Sequence, residues 1–100
     1  MLLFIKAHYL TRILAGEKTA TIRPWRSCKL KPGDVLSFNG KVRAPLVRVT
    51  LCRLDTLTDA HIAADGFPSR AAFLRAYRSH YPSATKTAPC CVLEFSSPRS

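Results

Sequence analysis

Acidic residues are scarce in this sequence, and their scarcity says most about what the chain can contact. Six Asp and Glu stand against 16 Lys and Arg, so the formal net charge is +10. Residues 1–54 carry eleven of the basic side chains and only two acidic ones, Glu17 and Asp34. Such an excess of cations raises the local concentration of anions and suits a phosphate backbone. The charge balance therefore predicts contact with a nucleic acid, and the alternative is a solvated basic face that only aids solubility.

Several other features are missing, and each absence excludes a class of protein. No apolar run approaches the roughly 20 residues that a membrane-spanning helix needs, and the N-terminal MLLFI is too short for the core of a secretory signal. We therefore expect a cytoplasmic protein with no membrane partner. There is no internal repeat, no Gly-rich phosphate loop, and no HExxH, nucleophile-elbow or Cys–His pattern. The length of 100 residues, 47% of them apolar, predicts one domain at residues 1–96 and a frayed tail at residues 97–100.

The four cysteines do not form a CxxC pair of the kind that binds metals. They are Cys28, Cys52, Cys90 and Cys91. Adjacent residues of a strand point to opposite faces, so Cys90 and Cys91 cannot bind one metal ion without a bulge. In a cytoplasmic chain we expect reduced, mostly buried thiols, with a disulfide or a metal site as the alternative. The sequence predicts neither a metal nor a cofactor.

Hydrophobic periodicity and turn signals predict an α+β fold that is mainly β. The order is β-α-β-β-β-α-α-β, without the repeated βαβ units of a doubly wound sheet, which favours a small, mostly antiparallel barrel. The predicted strands cover residues 2–6, 19–23, 35–38, 46–54 and 90–95. The predicted helices cover residues 8–15, 59–64, and a segment from Ser69 to just before Pro82, with Thr58 and Ser69 as the N-caps of the last two. The first helix has a predicted apolar stripe of Leu10, Ile13 and Leu14, and the last one has a stripe of Phe73, Leu74, Tyr77 and Tyr81.

The segment GEKTATIRPWR, residues 16–26, is the predicted functional centre. Period-two alternation places Thr19, Thr21 and Arg23 on one face of a strand, and Ala20 and Ile22 on the other. If the apolar pair faces the core, two hydroxyls and a guanidinium share an accessible face. That face is suited to holding a ligand.

Trp25 and Arg26 extend this polar face beyond the strand. Guanidinium groups bind phosphate in bidentate fashion, and an indole ring offers a flat surface on which a base can stack. The alternative for Trp25 is that it caps one end of the barrel. The predicted ligand-binding residues are therefore Lys18, Thr19, Thr21, Arg23, Trp25 and Arg26.

Five stretches of the chain resemble the ASCH domain, a branch of the PUA-like superfamily. They are LAGEKTATIRPW, KPGDVLSF, LDTLTDAHIAADGF, SHYP and CVLEF, in the family's order over about residues 3–96. The G-x-K-T-x-T-I-R block and the following G-D are the most specific parts. The resemblance implies a pseudo-β-barrel of five to six strands with two or three short helices, and a cleft beside the first helix. It also implies binding of RNA or of a modified nucleotide, because ASCH domains are generally taken to be RNA-linked modules.

The resemblance also implies a possible chemistry. One bacterial branch of the family hydrolyses the acetyl amide of N4-acetylcytidine with a Lys, a Thr and a Glu. The first two match Lys18 and Thr21, and the third matches Asp65, whose side chain is one methylene shorter than Glu. A carboxylate retracted by about an ångström can cost roughly a hundredfold in rate. In this role Lys18 is the base, Thr21 the nucleophile and Asp65 the proton shuttle.

Three functions remain open at this stage, and the residues have simpler interpretations beside the chemical one. Lys18 can be a phosphate contact, Thr21 an ordinary strand residue and Asp65 a loop residue at a helix end. The excess of cations and the short carboxylate favour a module that binds RNA or a nucleotide. An amidohydrolase of acetylated cytosine nucleosides is the alternative, and a ribonuclease is a lesser one.

Overall fold

A computed structural model describes residues 1–96, and its elements follow the predicted order. The strands are β1 Leu2–Leu3, β2 Ala20–Arg23, β3 Val35–Phe38, β4 Val42–Arg53 and β5 Pro89–Phe95. The helices are α1 Ala7–Leu14, α2 Asp59–Ala64 and α3 Arg70–His80, with a 3-10 turn at Leu54–Thr56. The predicted α+β class, with five strands and three short helices, is confirmed. The tail predicted at residues 97–100 lies outside the described residues.

One five-stranded sheet forms the framework, in the order β1-β3-β4-β5-β2. Only β1 and β3 pair in parallel, and the other neighbours are antiparallel. Strand β4 is central, as predicted, but it begins at Val42 rather than near residue 46. Asn39 (φ 56°) and Gly40 (φ 70°) form a tight turn that places Val42 directly opposite Phe38, so the hairpin ladder continues straight into β4.

The first strand is shorter than predicted. It covers only Leu2–Leu3, and Phe4 is 73% exposed. Beyond Leu3 the backbone is held by a side chain instead of a strand: Ile5 N–H donates to Asn39 Oδ1 at 2.8 Å, and Asn39 Nδ2 donates to the Ile5 carbonyl at 2.9 Å. This clasp fixes residues 4–6 as an extended segment beside the sheet.

Apolar side chains pack on both faces of the sheet. One cluster contains Ile13 and Phe38, and the other contains Ile22 and Phe73. The side chains of the adjacent residues Cys90 and Cys91 point to opposite faces of the sheet, as expected, since Cys91 belongs to the first cluster and Cys90 to the second. All four cysteines are free. Within residues 1–96, no helix is long and apolar enough to cross a membrane.

Helices α2 and α3 begin where their capping residues predict, whereas α1 begins one residue before the predicted start and uses its predicted apolar face only in part. Thr58 Oγ1 accepts from the N–H of His61, and Ser69 Oγ accepts from that of Ala72. In α1 the predicted stripe included Leu14, yet that side chain is 61% exposed. Ile13 is the one buried residue of this short helix, so only a narrow face of α1 packs against the sheet.

Candidate functional site

Helix α1 ends in a tight reversal that delivers Lys18 to the interior. Gly16 adopts a left-handed conformation (φ 79°), its N–H donates to Ile13 O at 3.1 Å, and Glu17 N–H donates to Arg12 O at 2.9 Å. This is the Schellman arrangement, in which glycine at the C′ position turns the chain back across the last helical turn. Lys18 therefore leaves the helix end pointing away from solvent, 4% exposed.

Helix α2 ends in the same way and delivers Asp65. Gly66 is left-handed (φ 93°), its N–H donates to Ala63 O at 2.9 Å, and Phe67 N–H donates to Ile62 O at 3.2 Å. Asp65 is the C-cap residue of this helix and is 6% exposed. Two helix C-termini thus present a cation and an anion to the interior.

The two helix ends are tied to each other through the backbone. Thr19 N–H donates to Ala64 O at 2.7 Å, and Arg12 Nη1 donates to Gly66 O at 2.9 Å. A Cβ placed on Gly66 would lie 3.6 Å from the Cβ of Lys18. The close approach of these segments fixes the relative positions of the two charged side chains.

Lys18 and Asp65 form a buried ion pair. Lys18 Nζ donates to the Asp65 carboxylate, to Ala20 O at 2.9 Å and to Asp65 O at 3.1 Å. These three acceptors match the three N–H bonds of an ammonium group, so the charged form of Lys18 is fully hydrogen-bonded. The positive charge also lies at the C-terminus of α2, where a cation is favourable.

Burial changes the acid–base properties of both partners in opposite directions. It lowers the pKa of Lys18, although the Asp65 carboxylate opposes this shift. It raises the pKa of Asp65 to about 6, again against the attraction of Lys18. Burial brings the two pKa values closer together, so a proton moves between the partners more easily than between exposed side chains. Such perturbed pairs are characteristic of functional sites.

Thr21 is the third buried polar residue. It is 4% exposed on β2, and its Oγ1 accepts a hydrogen bond from Arg23 Nε at 3.2 Å. Apart from Tyr77 and the cysteines, Lys18, Thr21 and Asp65 are the only buried residues within residues 1–96 whose side chains carry polar or charged groups, and all three line one cavity. The structure thus brings the three predicted catalytic residues together, although no hydrogen bond among the described residues joins Lys18 Nζ to Thr21 Oγ1.

The cavity has a volume of about 380 Å³ and lies between the two edges of the sheet. Residues 4–6, which follow β1, form one side, and β2 forms the other. Its remaining walls are largely aromatic: Tyr9, Phe67, Phe73, Tyr77 and Tyr81. Consecutive rings of this wall pack at centroid distances of 4.9–6.3 Å. Lys18 Nζ lies 5.6 Å from the centroid of Tyr9, within the range of a cation–π contact.

Positive charge surrounds this cavity. Lys6 and Arg23 line it, while its one acidic lining residue, Asp65, is already paired. Elsewhere, every other acidic residue except Glu17 also lies in an ion pair with Lys or Arg. Within residues 1–96, no three His, Cys, Asp or Glu side chains form a cluster that could hold a metal ion.

Three of the predicted ligand-binding residues lie outside the cavity. Thr19 is half-buried and held by its backbone contact to α2. Trp25 packs against the cluster around Phe38, and Arg26 is exposed. Of the six, Lys18, Thr21 and Arg23 line the cavity.

The aromatic wall is the part of the site that the sequence did not predict. Phe73, Tyr77 and Tyr81 belong to the apolar stripe predicted for α3 and its C-cap, and they also line the cavity. The sequence feature that could have indicated this wall is the presence of Tyr instead of Leu at two of these positions. A tyrosine on a core-facing stripe brings a hydroxyl that needs a hydrogen-bond partner. Tyr9 and Phe67 carry no comparable signal.

No protein-family model and no curated protein matches the sequence. Solved structures do match. The hypothetical protein PH0355 superimposes with a TM-score of 0.80 at 20% identity, covering 98% of this chain and 97% of the other. The ASCH domain of Lactobacillus crispatus superimposes with a TM-score of 0.77 at 16% identity, covering 98% of this chain and 79% of the other. The ASCH protein of Zymomonas mobilis superimposes with a TM-score of 0.69 at 15% identity, covering 97% of this chain and 68% of the other. The chain therefore has the fold of the ASCH domain family.

Proposed function

We propose that this protein binds RNA or a nucleotide by accepting one base into the cavity between residues 4–6 and β2. The observation that carries the proposal is the position of the buried polar residues Lys18, Thr21 and Asp65, which line a cavity with aromatic walls. A volume of about 380 Å³ falls within the range of small-ligand sites, about 300–1,000 Å³. A flat base stacks well on aromatic side chains, while a few fixed polar groups determine its orientation.

The charge distribution supports a ligand that carries phosphate. Lys6 and Arg23 lie at the cavity with no acidic partner among the described residues. A phosphate of the nucleotide whose base is inserted would contact these cations and release its own condensed counterions, so affinity should fall as salt rises. Arg26, three residues after Arg23, is exposed and adds a further cation outside the cavity.

The test is binding of a fluorescently labelled single-stranded RNA of about ten nucleotides, by anisotropy, at about 50 and about 200 mM salt. Arg23→Gln should weaken binding severalfold and reduce the salt slope by about one. The matched control is Arg75→Gln, because Arg75 is exposed on α3 and, at 100° per residue, lies opposite the face formed by Phe73 and Tyr77. Equal effects of the two substitutions, or no binding at low salt, would contradict the proposal.

A second candidate function is hydrolysis of the acetyl amide of N4-acetylcytidine, which the ASCH resemblance suggests. The observation that favours it is the ion pair itself. Transfer of one proton from Lys18 to Asp65 yields the neutral amine and the protonated acid that the reaction needs, and burial favours this transfer. Lys18 then accepts the proton of Thr21, Thr21 Oγ1 forms a bond to the acetyl carbon, and Asp65 protonates the departing cytosine amine. Water hydrolyses the acetyl ester and releases acetate.

This candidate is tested by incubating the protein with N4-acetylcytidine and measuring cytidine. Thr21→Val keeps the shape of the strand residue but removes the nucleophile, so it should abolish turnover. Asp65→Glu restores the missing methylene and should raise turnover by up to about a hundredfold. Thr50→Val is the control, since Thr50 is half-buried on β4 and does not line the cavity. Turnover that survives Thr21→Val would show that the assigned roles are wrong.

A further inference from the structure

The hydroxyl of Tyr77 has unused hydrogen-bonding capacity. Tyr77 is 5% exposed, and its Oη is buried with no hydrogen-bond partner among residues 1–96. Buried hydroxyl groups in native proteins nearly always have a partner, because an unpaired one loses its hydration without compensation. Phenylalanine would fill nearly the same space without that cost, so packing alone does not explain the tyrosine.

Tyr77 is one of the residues that line the cavity, so the residue with the unpaired hydroxyl borders the space that a base would enter. Its ring lies in the aromatic wall, between Phe73 at 5.4 Å and Tyr81 at 4.9 Å between centroids. The buried polar groups around the cavity already have partners, since Lys18 and Asp65 bond each other and Thr21 accepts from Arg23. Glu94 Oε2 is the other buried atom without a hydrogen bond among the described residues, but Glu94 does not line the cavity.

We propose that the Tyr77 hydroxyl is a specificity-determining group, which donates a hydrogen bond to an acceptor on the ring inserted into the cavity. Burial raises the pKa of this hydroxyl, so it stays protonated and available as a donor across the physiological pH range. The ligand class is therefore a planar heteroaromatic ring with a carbonyl oxygen or an unprotonated ring nitrogen at the inserted edge. This inference rests on the proposed function, since it requires that a base enter the cavity.

The test compares Tyr77→Phe with the wild-type protein in two measurements. The first is the melting temperature of the free protein, where the substitution removes an unpaired hydroxyl and should leave the melting temperature unchanged or raise it. The second is the affinity for the labelled RNA and for each of the four nucleoside 5′-monophosphates. Here the substitution leaves the ligand's acceptor unpaired, so affinity should fall about tenfold. Thr50→Val, a hydroxyl loss outside the cavity, should leave affinity unchanged.

Each outcome of this test decides one point. If Tyr77→Phe lowers the melting temperature of the free protein, the hydroxyl already has a partner there and the inference is overturned. If the wild-type protein binds and Tyr77→Phe binds equally well, the inference is overturned while the proposed function stands. If the wild-type protein binds none of these probes, the proposed function itself fails, and the inference with it. Weaker binding by a variant that melts no lower than wild type supports both.

Discussion

Replacing Lys18 with methionine removes one partner of the buried ion pair and nearly preserves the volume of the side chain. The Asp65 carboxylate, 6% exposed, would then lose its cation together with the hydrogen bond from Nζ. Breaking a buried pair in this way costs about 3–5 kcal/mol, because it leaves a charge with neither water nor a partner. Asp65 can escape this cost by binding a proton. Its pKa, already raised to about 6 by burial, should rise further once the Lys18 charge is gone.

The loss of stability in Lys18→Met should therefore depend on pH, and urea denaturation measures it. At about pH 8 we expect the free energy of unfolding to fall by about 3–5 kcal/mol relative to wild type. At about pH 5 the protonated Asp65 no longer needs a cation, and the loss should shrink by more than about 1 kcal/mol. The double variant Lys18→Met/Asp65→Leu replaces the pair with apolar side chains and should be less destabilised than the single variant at about pH 8.

The matched control is Lys41→Met, the same change at an exposed turn residue, which should stay within about 0.5 kcal/mol of wild type. A loss below about 1 kcal/mol for Lys18→Met at about pH 8 would refute the assignment of a desolvated ion pair. The assignment would also be refuted if Lys18→Met lost equal stability at both pH values and the double variant were less stable than Lys18→Met.

Three further predictions concern the same site. Folded Asp65 keeps its proton to a higher pH than Asp65 of the unfolded chain, so the stability of wild type relative to Asp65→Asn should fall by about 2 kcal/mol as pH rises from about 4 to about 6. A difference in urea denaturation that does not change with pH would contradict the raised pKa. Gly66→Ala places a Cβ on a residue at φ 93° and should lower the free energy of unfolding, followed by thermal melting, by about 1–2 kcal/mol. An unchanged melting temperature would be inconsistent with a left-handed residue at this helix end. Asn39→Gly keeps the turn but removes both hydrogen bonds to Ile5, so it should lower the free energy of unfolding in urea by about 1–3 kcal/mol. The same substitution should weaken RNA binding. Full RNA affinity would show that residues 4–6 form their side of the cavity without these hydrogen bonds.

Local sequence signals were sufficient for much of the fold and for one face of the site. The alternation in β2 correctly buries Ala20 and Ile22, because the period of a strand is two residues. Thr21, which the same alternation places on an accessible face, is buried as well, since that face borders the cavity and not open solvent. The N-caps Thr58 and Ser69 were also predictable, since each bonds to a backbone group only three residues away. These features depend on contacts within one segment, which a single sequence records.

Features that depend on distant segments were not predictable from local patterns. Lys18 and Asp65 are 47 residues apart, and only the family resemblance suggested that they belong to one site. The stripe on α3 indicates burial, but it does not reveal that part of the buried face borders a cavity. Likewise, β1 ends early because Asn39, 34 residues from Ile5, takes over its backbone hydrogen bonds. Each of these outcomes follows from the packing of the folded chain.

The most direct test of the proposed site is a titration of ¹⁵N-labelled protein with cytidine 5′-monophosphate and with the RNA oligonucleotide, followed by amide chemical shifts. Binding of a base in the cavity predicts that the largest shifts cluster at residues 18–23, Asp65, Phe67 and Tyr77. The contradicting result is a set of shifts confined to exposed cations away from the cavity, such as Lys41 and Arg43, while the amides around the cavity stay unchanged.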